Sequence, residues 1–155
     1  MSLRARIVLT DDELAAFLDQ ERVITCATLG RDGWPHLMPL WYVIRDGTLW
    51  AWTYGKSQKV RNLRRDPRCT LQVEMGRDRY DQLRGVMLKA EATIHADLDT
   101  VAGVGVGIAE RYAGGMEMPE EACTALRRQA AKRVALEFRE VSRATWDHRK
   151  LTGSH

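Results

Sequence analysis

The stretch from Leu49 to Pro67 constrains this chain most, because it predicts a strand that leads directly into the start of a helix. Aromatic residues alternate with smaller ones as far as Tyr54, which is typical of a half-buried strand. Gly55 ends the alternation, and Ser57 is a good N-cap for a short helix that Pro67 must stop. Free backbone N–H groups at such a helix start, together with the helix dipole, favour a bound anion.

Hydroxyl and basic side chains support this prediction of an anion site. Thr53 and Ser57 supply hydroxyl donors, and positive charge comes from Lys56, Lys59 and Arg61. The alternative is that Ser57 is only a helix cap and that the basic residues form a solvated helix face. Charge and capping leave both interpretations open, because a motif match is a hypothesis.

The composition is typical of one globular domain. The chain has 155 residues and is 45% hydrophobic, so we expect one domain over 1–155, with a core of about 10–142 and a tail of 143–155. The net charge of +3 is too small to indicate a nucleic-acid partner. No apolar run has the length of a membrane span, and no secretory signal is recognisable, so we expect neither membrane insertion nor export but a cytoplasmic protein.

Periodicity and turn residues predict six short strands separated by turns and helices. The strands are expected at 23–29, 36–44, 50–54, 69–74, 85–94 and 133–141, and helices at 11–20, after Ser57, at 97–112 and at 119–129. This order favours a mainly β fold, a small antiparallel barrel with peripheral helices.

Two local patterns bear on a binding site. Pro35 and Pro39 cannot donate to a sheet ladder, so the second strand should have an open or bulged side that faces either solvent or a ligand. Gly103, Gly105 and Gly107 form a Gly-x-Gly-x-Gly run, but no strand of a βαβ unit precedes it. We therefore interpret the run as close helix packing or local flexibility, and not as a dinucleotide site.

The sequence shows no catalytic machinery of its own, and no catalytic residue is predicted. The cysteines are scattered and odd in number, which favours buried thiols over a disulfide or zinc site: Cys26, Cys69 and Cys123. The histidines lack metal-ligand spacing, so no metal site is predicted: His36, His95, His148 and His155. A bound cofactor would have to supply any redox chemistry.

Two segments resemble a known family. The run Trp52-Thr-Tyr-Gly-Lys-Ser-Gln-Lys-Val-Arg-Asn-Leu-Arg-Arg-Asp-Pro67 is similar to the phosphate-binding segment of the pyridoxamine 5′-phosphate oxidase-like split β-barrels, the flavin/deazaflavin oxidoreductase superfamily. The segment from Ala27 to Tyr42 resembles the family's first hairpin. The part from Lys59 to Pro67 is most similar to the branch that includes deazaflavin F420-dependent reductases.

The resemblance implies a six-stranded split β-barrel that forms a homodimer, with FMN or F420 in a groove between the subunits. The implied phosphate ligands are Thr53, Ser57 and Lys59. The other cofactor-binding residues implied by position are Leu37, Met38, Pro39 and Leu40 along the ring, Lys56 and Gln58 close to the phosphate, Trp52, and Trp146 and Arg149 toward the partner's cofactor.

This family membership would make the protein an FMN- or F420-dependent oxidoreductase that transfers hydride between the (deaza)flavin and a small organic substrate. Gln58 stands where the oxidase commonly has arginine, and the oxidase's C-terminal Arg-x-His-x-Arg signature is missing, so pyridoxamine phosphate is a doubtful substrate. The alternatives are a non-catalytic cofactor- or haem/tetrapyrrole-binding module and a structural dimer with an empty groove. Candidates for an apolar dimer surface are Trp34, Trp41, Trp50 and Trp52.

Overall fold

The strands join in one antiparallel sheet that closes on itself. In the computed structural model, which describes residues 2–151, they are β1 (Val23–Leu29), β2 (Pro35–Arg45), β3 (Thr48–Tyr54), β4 (Arg68–Met75), β5 (Arg84–His95) and β6 (Arg133–Asp147). Their order around the barrel is β1-β2-β3-β6-β5-β4, with β4 paired to β1. The predicted six-stranded antiparallel barrel is confirmed.

The helices lie at the ends and on one side of the barrel. They are α1 (Leu3–Arg6), α2 (Asp11–Gln20), α3 (Gln58–Arg65), α4 (Leu98–Tyr112) and α5 (Glu120–Ala130). The predicted capping box begins α2, because the Thr10 hydroxyl accepts from the Glu13 N–H and the Glu13 carboxylate accepts from the Thr10 N–H. Within residues 2–151, no helix combines the length and apolarity that crossing a membrane requires.

Apolar side chains from the strands fill the barrel interior. Leu49 and Ala51 of β3 point inward, and α3 contributes Val60 and Leu63. The two strand cysteines are buried there as small apolar residues, as predicted: Cys26 and Cys69. Helix α3 ends as predicted, with Asp66 already in extended geometry before Pro67.

Strand β2 is paired on both sides over only part of its length. Residues 35–41 pair with β1 alone, while pairing with β3 covers residues 42–45. The N–H of Tyr42 donates to the carbonyl oxygen of Arg22 on the β1 side, so alternate residues such as Pro39 direct their nitrogen to the unpaired side. The open side predicted from the two prolines is confirmed, and it leaves a gap between the first half of β2 and the end of β3.

Helix α4 packs against the outer face of β3. A Cβ atom on Gly105 would lie only 2.5 Å from Cζ3 of Trp52, so the helix approaches the indole closely because this residue is glycine. The predicted packing role of the glycine run is thereby confirmed at this position. Trp50 and Trp52 are half-buried in the cluster with α4, whereas Trp34 and Trp41 are exposed; a dimer surface at these tryptophans stays a prediction.

The C-terminal end of α4 is tied to α2. The guanidinium of Arg111 donates to the carbonyl oxygens of Leu18, Asp19 and Glu21 at 2.6–2.8 Å, where α2 ends. The adjoining Tyr112 stacks on a β2 indole, Trp41, with ring centroids 3.4 Å apart. The helix end therefore fixes one side of the gap beside β2.

Strand β6 is longer than predicted. The prediction ended it at Val141, but pairing with β5 continues to Asp147. Trp146 lies opposite Gly85, where a Cβ atom would come within 2.6 Å of the indole. The residues from 139 to 143 are exposed and give no alternating signal, which is why the sequence assigned this part of the strand to a tail.

The glycines of α4 provide a matched test of this packing. We expect Gly105→Ala to destabilise the protein by about 1–3 kcal/mol, because the new methyl group must displace Trp52. Gly103→Ala on the same helix meets no atom within 4 Å and should stabilise the protein by about 0.5–1 kcal/mol through helix propensity. Urea unfolding measures both changes, and equal effects of the two substitutions would contradict the packing role.

Candidate functional site

The gap between β2 and β3 opens into a cavity of about 490 Å³. Its walls come from the open half of β2, the end of β3, the first turn of α3 and the α4–α5 pair. The lining residues are Pro39, Leu40, Trp41, Trp52, Thr53, Lys59, Gly105, Ile108, Ala109, Leu126, Gln129 and Arg133. The cavity is therefore mostly apolar and aromatic, with a few polar groups, as ligand sites usually are.

Lys59 brings a positive charge to this cavity from a buried position. Its side chain is 7% exposed, and its Nζ donates to the Thr53 hydroxyl at 3.3 Å. An ammonium group has three donor hydrogens, and Thr53 is its one hydrogen-bond partner among the described residues. Burial lowers the pKa of Lys59, and the nearby Cys26 thiol offsets part of this effect.

The interpretation of the basic residues as a solvated helix face is wrong for Lys59. It does describe other basic residues of this segment, which are exposed: Lys56, Arg61, Arg64 and Arg65. A buried charge with one neutral partner is costly in a cofactor-free protein. Among the described residues the fold supplies this charge with the Thr53 hydroxyl alone, and an anionic ligand would compensate it.

Ser57 occupies the N-cap position of α3 but does not make the predicted cap hydrogen bond. Its Oγ is buried and has no partner within residues 2–151. Buried hydroxyls in native structures are rarely left unpaired, and each such case needs an explanation. A ligand oxygen at the start of α3 would accept from this hydroxyl and from free helix N–H groups.

A polar chain connects α3 to a second cavity under the β1–β2 turn. The amide of Gln58 donates to Asn62 at 2.9 Å, and Asn62 donates to the buried Thr28 hydroxyl at 3.0 Å. Gln58 and His36 line this second cavity. The Nδ1 atom of His36 is buried and unpartnered among the described residues, although His36 does not line the cavity at Lys59.

Comparison with known proteins identifies the family. Residues 10–145 match the family model described as Pyridoxamine 5′-phosphate oxidase. The chain belongs to the pyridoxamine 5′-phosphate oxidase family. A comparison with curated proteins found no match.

Solved structures of this fold differ in what their names describe. The conserved hypothetical protein Rv2991 from Mycobacterium tuberculosis is 41% identical, with 100% of this chain and 95% of that chain covered and a TM-score of 0.90. An F420 reductase is 20% identical, with 86% of this chain and 98% of that chain covered and a TM-score of 0.65. HutZ, the haem storage protein of Vibrio cholerae, is 18% identical, with 85% of this chain and 90% of that chain covered and a TM-score of 0.65. The last two show likeness of fold alone.

The structure brings together part of the residue set that resemblance to the pyridoxamine 5′-phosphate oxidase family implied. The cavity at Lys59 is lined by these members of the set: Pro39, Leu40, Trp52, Thr53 and Lys59. Neither Leu37 nor Met38 lines it; both side chains are exposed on the open half of β2. Neighbouring strand residues face opposite sides, and contact of Leu37 and Met38 with a cofactor ring stays a prediction.

The other implied residues lie away from the cavity within this chain. Lys56 and Gln58 are exposed beside the start of α3. Trp146 packs over Gly85, and Arg149 pairs with the buried Asp147 at 2.6 Å, which lowers the pKa of that carboxyl. A role for Trp146 and Arg149 at a partner's cofactor stays a prediction.

Sequence reasoning missed the wall that the α4–α5 pair and β6 provide. The missed lining residues are Trp41, Gly105, Ile108, Ala109, Leu126, Gln129 and Arg133. The glycine run signalled close packing, but nothing in the sequence indicated that its partner would be Trp52. Nor did the sequence place Arg133 at the site, since a basic residue at the start of a strand is unremarkable.

The chemistry of this cavity fits a planar cofactor with a phosphate. Trp41 and Trp52 provide apolar aromatic surface, and the buried Lys59 ammonium would stabilise an anion beside it. Ser57, an implied phosphate ligand, is not among the residues that line this cavity; its unpaired hydroxyl lies at the start of α3, two residues before Lys59. No group of three or more His, Cys, Asp and Glu side chains within residues 2–151 is arranged to hold a metal; His155 is outside the described residues.

Replacing Lys59 tests whether this lysine stabilises the fold. We expect Lys59→Met to stabilise the cofactor-free protein by up to about 2 kcal/mol at pH 7, because a buried charge is removed. Burial sets the pKa of Lys59 in the folded state below its value in the unfolded state. At pH values below the folded-state pKa, the buried charge therefore lowers the free energy of unfolding by its full amount. This destabilisation disappears as pH rises from the folded-state pKa to the unfolded-state pKa. The difference in unfolding free energy between Lys59→Met and the wild type should decrease over that pH range.

Urea unfolding of both proteins at several pH values provides the measurement. Arg64→Met is the matched control, since Arg64 is exposed on the same helix and its replacement should change stability by less than about 0.5 kcal/mol. A large loss of stability in Lys59→Met would assign the lysine a structural role.

Proposed function

We propose that this protein is an FMN- or F420-dependent oxidoreductase that transfers hydride between the bound (deaza)flavin and a small organic substrate. The observation that carries the proposal is the Lys59 ammonium, buried at the cavity with only the Thr53 hydroxyl as partner among the described residues. An uncompensated buried cation beside aromatic walls suits a phosphate attached to a planar ring.

The residues of the chain would bind and orient the cofactor. Lys59, Ser57 and Thr53 would hold its phosphate, and the open edge of β2 at Pro39 and Leu40 would lie along its ring. The isoalloxazine or deazaflavin ring itself supplies the hydride chemistry when bound. The apolar walls would exclude water and fix the distance to the substrate, which strongly affects the rate.

The second candidate is a non-catalytic cofactor- or haem/tetrapyrrole-binding module. One observation favours it: the Nδ1 of His36 is buried and unpartnered among the described residues, as the nitrogen of an unligated axial histidine could be. Against it, His36 lines the second cavity and is absent from the lining of the cavity at Lys59. Absorption spectra of the purified protein with each cofactor distinguish flavin, deazaflavin and haem.

We also propose that the protein is a homodimer with the cofactor groove at its interface. The β1–β2 region exposes large apolar side chains, with Trp34 at 76% and Leu37 at 61% exposure, and with Met38 and Trp41 also exposed. Apolar clusters of this kind mark partner surfaces, and a two-fold dimer is the commonest arrangement. Three unpaired cysteines are consistent with the reducing cytoplasm that we propose as its compartment.

Cofactor binding tests the proposed site directly. We expect Lys59→Ala to weaken binding of FMN or F420 by about 1.5–3 kcal/mol, the range for hydrogen bonds to charged groups. Side-by-side titrations with FMN and F420 measure the loss and identify the preferred cofactor. Arg64→Ala serves as the control on the exposed face of α3 and should bind as the wild type does.

The pH dependence of the same titration adds a second readout. The charged form of Lys59 binds the anion, and burial lowers its pKa. As pH rises, the affinity should therefore begin to fall at a lower pH than expected for an exposed lysine, whose pKa is about 10.4. The fall should be missing in Lys59→Ala. Unchanged affinity in the variant would remove Lys59 from the site, and failure of the wild type to bind either cofactor would end the proposed function.

The dimer can be disrupted at its proposed centre. We expect Leu37→Glu to convert the protein to a monomer at micromolar concentration, because a buried unpaired carboxylate is costly in an apolar interface. Met116→Glu places the same charge on an exposed residue of the α4–α5 loop and should leave the dimer intact. Analytical ultracentrifugation distinguishes the two, and a monomeric wild type would contradict the proposal.

A further inference from the structure

Arg133 brings a second cation to the cavity that holds Lys59. It stands at the start of β6 and lines the cavity, with its guanidinium carbon 4.4 Å from the centre of the Trp52 ring. Arginine stacks well on aromatic faces, because its planar cation is weakly hydrated. Among the described residues, no carboxylate forms an ion pair with Arg133.

The charges that line this cavity have one sign. Lys59 and Arg133 are its two cationic residues, and none of its lining residues is Asp or Glu. The hydrogen-bond partner of Lys59 is the neutral Thr53 hydroxyl. Uncompensated charges beside low-dielectric walls attract counter-charge strongly, so the cavity favours an anionic ligand.

The position of Arg133 is set by its neighbours. The Trp52 ring contacts both the Arg133 guanidinium and α4 at Gly105, where even a methyl group would collide with the indole. The stacked guanidinium therefore has a fixed platform, which reduces the entropy lost when it binds a ligand. A planar guanidinium held in this way suits bidentate contact with a phosphate or carboxylate.

We propose that Arg133 is a specificity-determining residue of this cavity, where it and Lys59 together select a ligand with a doubly anionic group. The inference rests on the proposed function and extends it to the class of ligand. The two charges can come from one phosphate monoester, as in FMN, or from a phosphodiester with neighbouring carboxylates, as in F420. Uncharged analogues such as riboflavin lack the group that Arg133 recognises.

The test compares charged and uncharged probes on the full chain. FMN, riboflavin, F420 and pyrophosphate are titrated against the wild type, Arg133→Met and Arg133→Lys. Methionine keeps a long apolar side chain against Trp52 but removes the charge, whereas lysine keeps the charge without the planar fork. Arg128→Met is the control, because Arg128 is an exposed basic residue of α5 that does not line the cavity.

We expect Arg133→Met to weaken binding of the preferred anionic cofactor and of pyrophosphate about 10-fold to 100-fold, with riboflavin affinity unchanged. Arg133→Lys should recover part of this loss, and Arg128→Met should bind as the wild type does. The salt dependence of anion binding should also decrease in Arg133→Met, since one charge contact is removed.

Each contrary outcome has a distinct meaning. An equal loss for FMN and riboflavin would assign Arg133 to packing against Trp52 and overturn the inference, as would unchanged affinity for every anion. If the wild type binds pyrophosphate through Arg133 but neither FMN nor F420, the proposed function fails and the anion selectivity stands. If the wild type binds none of the probes, both are wrong.

Discussion

The site depends on the separation of β2 from β3 along residues 35–41, the part of β2 that precedes Tyr42. Within a closed barrel, every backbone group finds a partner on the neighbouring strand. Here residues 35–41 have a partner on one side only, and Pro39 leaves no donor where its nitrogen faces the gap. The same separation that interrupts the ladder admits side chains from α3, α4 and β6. The cavity is thus a consequence of incomplete strand pairing within an otherwise continuous barrel.

Helix α3 couples that gap to the barrel interior. Val60 and Leu63 anchor it in the core, and the fully buried Asn62 binds Thr28 of β1. Lys59 lies one residue before Val60, so the anchored turn carries its ammonium into the cavity. A buried cation and an unsatisfied Ser57 hydroxyl both oppose stability without a ligand. Tight packing around them makes it possible to hold these groups in place, as binding sites require.

Much of the fold could be predicted from local sequence signals. The capping box at Thr10, the stop before Pro67 and the alternation along β5 each reflect chemistry within a few residues. Burial of Lys59 could not be predicted in this way, because its helix is basic on both its exposed and its buried side. The site wall formed by Gly105 and Arg133 depends on contacts between residues far apart in sequence. The end of β6 was missed since its outer residues are exposed and polar.

The cavity lies where two separate apolar clusters meet. One cluster fills the barrel, and the other lies between α4, α5 and the outer face of β3. Trp52 belongs to the outer cluster and also forms a wall of the cavity. Substitutions on the α4–α5 pair can therefore reshape the cavity while the barrel interior keeps its own packing. Such a division separates the residues that shape the cavity wall from those that fill the barrel.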